Sequence, residues 1–300
     1  MKVCLLAIDS KMINHAILKI AQYHIEQGHH VKWYEPLLDQ DADVLYVSKI
    51  FTFTNDIQYL PVNAKIIKGG TGYKNDVKLP EYIEKIMRVD EAYQLLYHDK
   101  NYSILFTTRG CVRNCAFCVV REKEGYIHDV PSISLNPNGK HIELMDNNFF
   151  STPTWCERLT KIKRYNIPVN FNTGIDIREI TEAQAKALST LRIKRIHCAW
   201  DYYHDKEKVI NGLTLLTKYV SPSLITVYVL VGFQQPYIVS TDVERVKTLW
   251  EQLKVYPFAM PYINVHDGKR DYDETVKDFC RWTNRYLFKK MNFENYKGRK

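Results

Sequence analysis

Ile104-Leu105-Phe106-Thr107-Thr108-Arg109-Gly110-Cys111-Val112-Arg113-Asn114-Cys115-Ala116-Phe117-Cys118 is the stretch on which the reading of this chain turns. Ile104–Thr107 reads as a strand, and it runs straight into three cysteines spaced C-x₃-C-x₂-C. Spacers this short let all three sulfurs reach a common point. Thiolates select iron–sulfur clusters, zinc or Cu(I) over hard cations. A four-iron cluster normally takes four thiolates, so a set of three leaves one iron open to a small molecule. The zinc alternative uses Cys111, Cys115 and Cys118 with a fourth ligand such as His128. Zinc sites more often pair C-x₂-C with a second such half or a His pair, and the sequence holds no second half.

Working outward, the segments after Cys118 alternate strand and helix. His141–Met145 and Val169–Asn172 read as strands around a helix at Trp155–Tyr165. Thr181-Glu182-Ala183-Gln184 fits the capping-box pattern for a helix through Leu191. Strands follow at Ile193–Trp200, Ile225–Gly232 and Phe258–Tyr262, with helices near Lys206–Tyr219 and Val243–Lys254 and an amphipathic one over Glu274–Phe288. Strands recurring every ~20 to 35 residues with helices between specify parallel βαβ units. Right-handed crossovers curl such a series into an open six-stranded (β/α)₆ partial TIM barrel or a strongly twisted sheet, with reacting groups at the C-terminal strand ends. The stretch Ser132–Gly139 is too short and turn-prone for the helix expected after the first strand, which would open one edge of the barrel.

Upstream, the first hundred residues read as a small α/β unit. Val3–Ile8 is an apolar run suited to a strand covered on both faces. Ile13, Ile17, Ile20, Ala21 and Ile25 recur at helical spacing, with Gly28 just past the helix end. Val31–Tyr34, Val44–Val47 and Ile66–Ile67 are the next strand candidates. The last leads into Lys68-Gly69-Gly70-Thr71-Gly72, either a plain tight turn or a place where backbone N–H groups approach a ligand. A polar, helix-prone stretch from Lys78 to Tyr97 bridges to the cysteine segment.

The triplet, with aromatic Phe117 just before the third cysteine, resembles the motif of the radical S-adenosylmethionine (SAM) superfamily. In that family the open iron of a [4Fe–4S] cluster is chelated by SAM. An electron from the cluster cleaves the S–C5′ bond, and the 5′-deoxyadenosyl radical abstracts hydrogen from the substrate. The resemblance makes Cys111, Cys115 and Cys118 the metal ligands and implies SAM and an external one-electron donor of flavodoxin or ferredoxin type as partners. Leu144-Met145-Asp146-Asn147-Asn148-Phe149 is similar to a strand-end motif of cobalamin-type members, which implies that Asp146 and Asn147 face the methionine amino group. A turn rich in Asp and Asn is the plainer reading. By the same resemblance Phe117, Asn172, Asp176, Arg178, Asp201 and Val231 are SAM contacts. Residues 1–98 then resemble a Rossmann-like, cobalamin-binding-like domain, 99–265 the radical SAM partial barrel, and 266–300 a helical extension with a basic tail. No Asp-x-His-x-x-Gly stands in the chain, so the expectation is no cobalamin. The other cysteines form no second cluster-binding group, which disfavours sulfur insertion.

Composition bounds these readings. The chain has 300 residues, 45% apolar and 25% charged, as in an ordinary globular protein. No stretch approaches ~18 consecutive apolar residues, so no membrane span is expected, and the N-terminal apolar run is short for a signal peptide. A cytoplasmic location is expected. Seven cysteines, an odd number, argue against a secreted disulfide framework. Of the net charge of +8, about half sits in the tail, where Lys289, Lys290, Lys297, Arg299 and Lys300 face only Glu294. That tail is either a solvated end or a nucleic-acid contact, and the Arg/aromatic run Phe279–Phe288 is compatible with base stacking or with a helix packed on the barrel. Three functions follow: a radical SAM enzyme with an unidentified organic substrate, the same catalyst acting on RNA or DNA, and a non-catalytic iron–sulfur or zinc protein.

Overall fold

Strand β1 (Lys2–Ala7) has a parallel neighbour on each edge and buries Val3, Cys4 and Leu5 completely, Val3 and Leu5 in one apolar cluster and Cys4 in another. The computed structural model describes residues 1–73 and 78–298. Helix α1 (His15–Glu26) is started by Asn14, whose side chain accepts from the Ala16 and Ile17 amides, and it ends before Gly28 at a φ of +71°. β2 (His30–Trp33), β3 (Val44–Ser48) and β4 (Lys65–Gly69) complete a parallel sheet of order β2-β1-β3-β4. Short helices α2 (Glu81–Glu84) and α3 (Asp90–Leu96) follow. The helix-prone stretch from Lys78 to Tyr97 thus holds two short helices. α2 holds Lys19, a buried cation of α1, through the Glu84 carboxylate at 2.9 Å and carbonyl at 2.5 Å.

The second half contains β5 (Ser103–Leu105), β6 (Thr108–Arg109), α4 (Val120–Glu124), β7 (His128–Asp129), β8 (Ile142–Leu144), α5 (Trp155–Tyr165) and β9 (Val169–Phe171). It continues with α6 (Glu182–Leu188), β10 (Ile193–Ala199), α7 (Lys206–Thr217), β11 (Ile225–Val231), α8 (Ser240–Lys247), β12 (Tyr256–Pro261) and α9 (Glu274–Asn284). Six of these strands form one sheet, β12-β11-β10-β9-β8-β5, every pair parallel and in chain order. The protein is therefore a mixed α/β chain built on two parallel sheets. Among the described residues no helix is long and apolar enough to cross a membrane.

Local chemistry explains most of these elements. Thr181 and Gln184 form the expected capping box on α6, which ends at Leu188 rather than Leu191. α9 buries Val276, Phe279, Trp282 and Thr283 and packs on edge strand β12. Its last residue, Asn284, bonds both the N–H and the C=O of Ala259, filling the strand's open edge. The helix stops there instead of reaching Phe288. α8 begins at Ser240 and passes into a π-helical turn over Thr248–Gln252. Residues 132–139 carry no helix, and a cleft of about 320 Å³ lies just before that segment, between residues 129–132 and α5.

An apolar cluster crosses the junction of the two halves. Ile13, Ile17, Tyr93 and Tyr97 share it with Ile104 and Ile133. Tyr102 and Tyr97 hydroxyls accept the Ile13 and Asn14 amides at 3.1 and 3.0 Å, so the start of α1 is pinned to the segment that enters β5.

Gly212 shows how closely the helices pack. A β-carbon there would lie 1.9 Å from the Ile177 carbonyl oxygen. Glycine to alanine in a helix interior ordinarily stabilises by about 1 kcal/mol. Here overpacking reverses the sign, and Gly212→Ala is expected to cost about 3 kcal/mol in urea unfolding. A neutral or stabilising result would show that α7 stands off the turn at 177–179.

Candidate functional site

The cysteine loop leaves the C-terminal end of β5, the first strand of the six-stranded sheet in chain order, and is bracketed by three short elements with no sequence signal. β6 and β7 pair antiparallel, Arg109 opposite His128, and α4 follows Cys118. All three are too short to carry a hydrophobic period. Gly110 adopts a φ of +78°, and a β-carbon on it would meet the Tyr126 carbonyl oxygen at 2.5 Å. His128 stands exposed on β7, its Nδ1 2.9 Å from the Tyr126 carbonyl.

Three side chains clamp this loop. Glu124, at the end of α4, accepts from the Gly110 amide and the Asn147 side chain through one oxygen, both at 2.9 Å, and pairs with Arg109 at 3.5 Å. Arg121 donates to the Cys111 carbonyl at 2.9 Å. Arg113, inside the loop, donates to Asp176 at 2.8 Å and Glu179 at 3.0 Å, tying the cysteines to the chain after β9. Glu124 has no signal in the sequence, because a lone acid six residues past the last cysteine belongs to no motif.

All three thiols are free, Cys111 and Cys115 half-buried and Cys118 exposed. The Arg113 amide donates to Cys111 Sγ at 3.4 Å, and the Val120 amide to Cys118. Desolvation pushes the Cys115 and Cys118 thiols up, and each also feels Cys111 and Asp201. Among the described residues no three His, Cys, Asp or Glu side chains already stand in a metal-gripping arrangement. The donor chemistry nevertheless suits a soft metal or cluster: three thiols on one clamped loop, two of them receiving backbone N–H bonds.

The acids and amides at the strand ends divide into two groups. Asp176 takes Arg178 Nε at 2.7 Å and Arg113 Nε at 2.8 Å, and Arg178 continues to Asp205 at 2.9 Å. Burial pushes the Asp176 carboxyl up, but the two guanidiniums outweigh it and hold it below the ordinary value. Asn172 donates to Met145 Sδ at 3.3 Å, and Asn147 is held by Glu124. Asp146 has another task. It is buried, accepts the Thr107 amide at 2.7 Å and the Thr107 hydroxyl, and so locks the end of β5 instead of facing outward. Val231 is likewise buried, and its carbonyl takes the Tyr262 amide. The glycine after it, Gly232, is approached by Tyr272 at 3.1 Å from a notional β-carbon, so that close approach is used by the chain itself.

Phe117 projects from the loop into a ring cluster at the ends of β10, β11 and β12. It meets Tyr202 at 5.7 Å and Phe233 at 5.6 Å, and Phe233 meets Tyr262 at 4.8 Å. Asp201 precedes Tyr202. Burial lifts its carboxyl to about 6 despite Arg178 and Arg245. Between the ordinary carboxylate range and pH 6, the folded chain therefore binds a proton that the unfolded chain does not. Stability contributed at this position falls as pH rises through that window and stays low above it. Asp201→Asn in the metal-free chain is expected to raise stability at pH 8 by up to about 2 kcal/mol and to change nothing at pH 4. Equal melting temperatures at pH 8 would contradict this burial cost.

Outside the site, the glycine turn after β4 closes on its own chain. A β-carbon on Gly70 would lie 2.4 Å from the Lys49 carbonyl oxygen, and one on Gly72 2.7 Å from that of Phe51. The plain-turn reading describes it. In α9, Phe279 and Trp282 are buried and Arg281 pairs with Asp278 and Glu274, so this helix offers those rings to the sheet and not to a base.

Comparison of the sequence with protein-family models and with curated proteins gives no match.

Proposed function

We propose that the chain is a radical SAM enzyme, with a Rossmann-like unit over residues 1–98, a six-stranded partial barrel over 99–265 and a helical extension over 266–300. The observation that carries the proposal is the C-x₃-C-x₂-C loop, clamped by Glu124, Arg121 and Arg113, at the C-terminal end of the first strand of an all-parallel six-stranded sheet. In such α/β arrangements ligands gather beyond the carboxyl ends of the strands.

Cys111, Cys115 and Cys118 would hold a [4Fe–4S] cluster, which when bound supplies the electron that splits SAM. Closure of the three sulfurs around it is part of the proposal. Asn147, Asn172, Asp176, Arg178 and Asp201 lie on or beside the strand ends that face this loop and are the proposed polar contacts of SAM. The rings of Phe117, Tyr202, Phe233 and Tyr262 supply an apolar wall that excludes water from a reactive intermediate. Glu124 and Arg113 position the loop without touching the metal.

Anaerobic reconstitution with iron and sulfide, followed by dithionite and SAM, is expected to yield about four iron and four sulfide per chain and to release 5′-deoxyadenosine. Stoichiometric zinc with no labile sulfide after anaerobic purification would replace this reading with the zinc one.

A further inference from the structure

Three departures from regular backbone meet at one place, far along the chain from the cysteine loop. The π-helical turn Thr248–Gln252 carries Trp250. Lys254, the residue after the cap of that turn, is left-handed at a φ of +56°, and Tyr286, the residue after the cap of α9, is left-handed at +58°. Helices usually place glycine or asparagine at that position, because a side chain there is strained. Single-turn π segments and strained residues concentrate where a side chain must be aimed.

The side chains they aim converge. Trp250, Tyr256 and Tyr286 surround the ammonium of Lys289, whose Nζ lies 3.9, 4.9 and 5.0 Å from their ring centres. Tyr256 meets Trp250 at 5.6 Å and Tyr286 at 5.6 Å, so the rings form one continuous wall. Lys254 Nζ reaches the Trp250 face at 5.9 Å. Lys289 makes no ion pair among the described residues. Its ammonium is held by ring faces alone.

We propose that Trp250, Tyr256 and Tyr286 form a cation cage that takes a small quaternary ammonium ligand, with Lys289 as its resident plug. A quaternary ammonium has no N–H to keep hydrated and gains most from the negative faces of several rings. A metal cation, strongly hydrated and met by ring faces with no carboxylate among the three cage residues, gains little there by the same chemistry. Because Lys289 competes from within the chain, the intact protein binds such a ligand only through the fraction of molecules whose cage is empty.

The test is an equilibrium titration of the full chain with tetramethylammonium chloride, read from broadening of the probe's methyl proton signal. Lys289→Ala is expected to bind about tenfold more tightly than the intact chain, as removal of a plug requires. Adding Trp250→Ala should abolish that binding. Tyr286→Gly suits the left-handed backbone and keeps the fold, so in the Lys289→Ala background it should weaken the probe at least about fivefold without loss of stability. The neutral isostere neopentyl alcohol should not compete. The proposal is overturned if Lys289→Ala binds no better than the intact chain, if the alcohol competes equally, or if only a trimethyllysine peptide binds.

Discussion

On the proposed function, Cys115→Ala is expected to leave a folded chain that takes up no cluster on reconstitution and loses at least 99% of the 5′-deoxyadenosine release, more than about a hundredfold. Outer partners of metal ligands already cost 10 to 100-fold when removed, so loss of a ligand from a set of three exceeds that. Cys111→Ala and Cys118→Ala should behave alike. The metal-free stability of these variants should stay within about 0.5 kcal/mol of the parent, because none of the three belongs to a hydrophobic cluster. Cys156, exposed on α5, is the control: Cys156→Ala should change neither iron content nor product. Full product release from Cys115→Ala would remove the basis of the proposed function.

The order of strands and helices was legible because the apolar runs are short, regularly spaced and separated by polar helices. β9, β10 and β11 begin at the residues their hydrophobic runs begin, and α5 spans Trp155–Tyr165 as its pattern predicts. What was illegible has a common physical cause. β6, β7 and α4 are too short to have a period, so only tertiary contacts define them. The start of α8 at Ser240 was hidden because Val239 lends no side-chain cap, while the π turn that follows has no composition cue. At the site, the cysteine spacing pointed to a metal-binding loop, but the direction of each strand-end acid depends on which neighbours outbid the opening for it. Asp176 is claimed by two arginines and Asp146 by Thr107, while burial pushes the Asp201 carboxyl up.

That competition also locates what holds the loop in place without metal. Glu124 joins the residue before Cys111 to the residue after Asp146. Arg113 joins the middle of the loop to the chain beyond β9. Both bridges link the cysteines to strands β8 and β9 rather than to β5 alone, so the position of the loop depends on the packing of the sheet.

Asp146 gives the sharpest contrast between a ligand contact and a structural anchor. Both of its oxygens accept from Thr107, one from the amide and the other from the hydroxyl, within a site that is 2% exposed. Burial is the leading influence on this carboxyl and pushes it up, while those donors pull it back. Asp146→Ala strands a buried amide and a hydroxyl, each of which costs about 1 to 3 kcal/mol when unpaired. The expected loss is about 3 kcal/mol, or roughly 6 to 10 °C in melting temperature, in the chain with no metal or SAM present. Asp146→Asn should recover only part of it, because its amide group presents N–H to a partner that is itself a donor. A carboxylate serving SAM alone would show the opposite pattern, unchanged melting of the metal-free chain with loss of SAM affinity. Asn147→Ala supplies the complement: half-buried and, among the described residues, bonded only to Glu124, it should cost under about 1 kcal/mol of stability while loosening the cysteine loop and, on the proposed function, lowering iron retention. If Asp146→Ala melts with the parent, the end of β5 is not held by this carboxylate, and the carboxylate is free to serve a ligand.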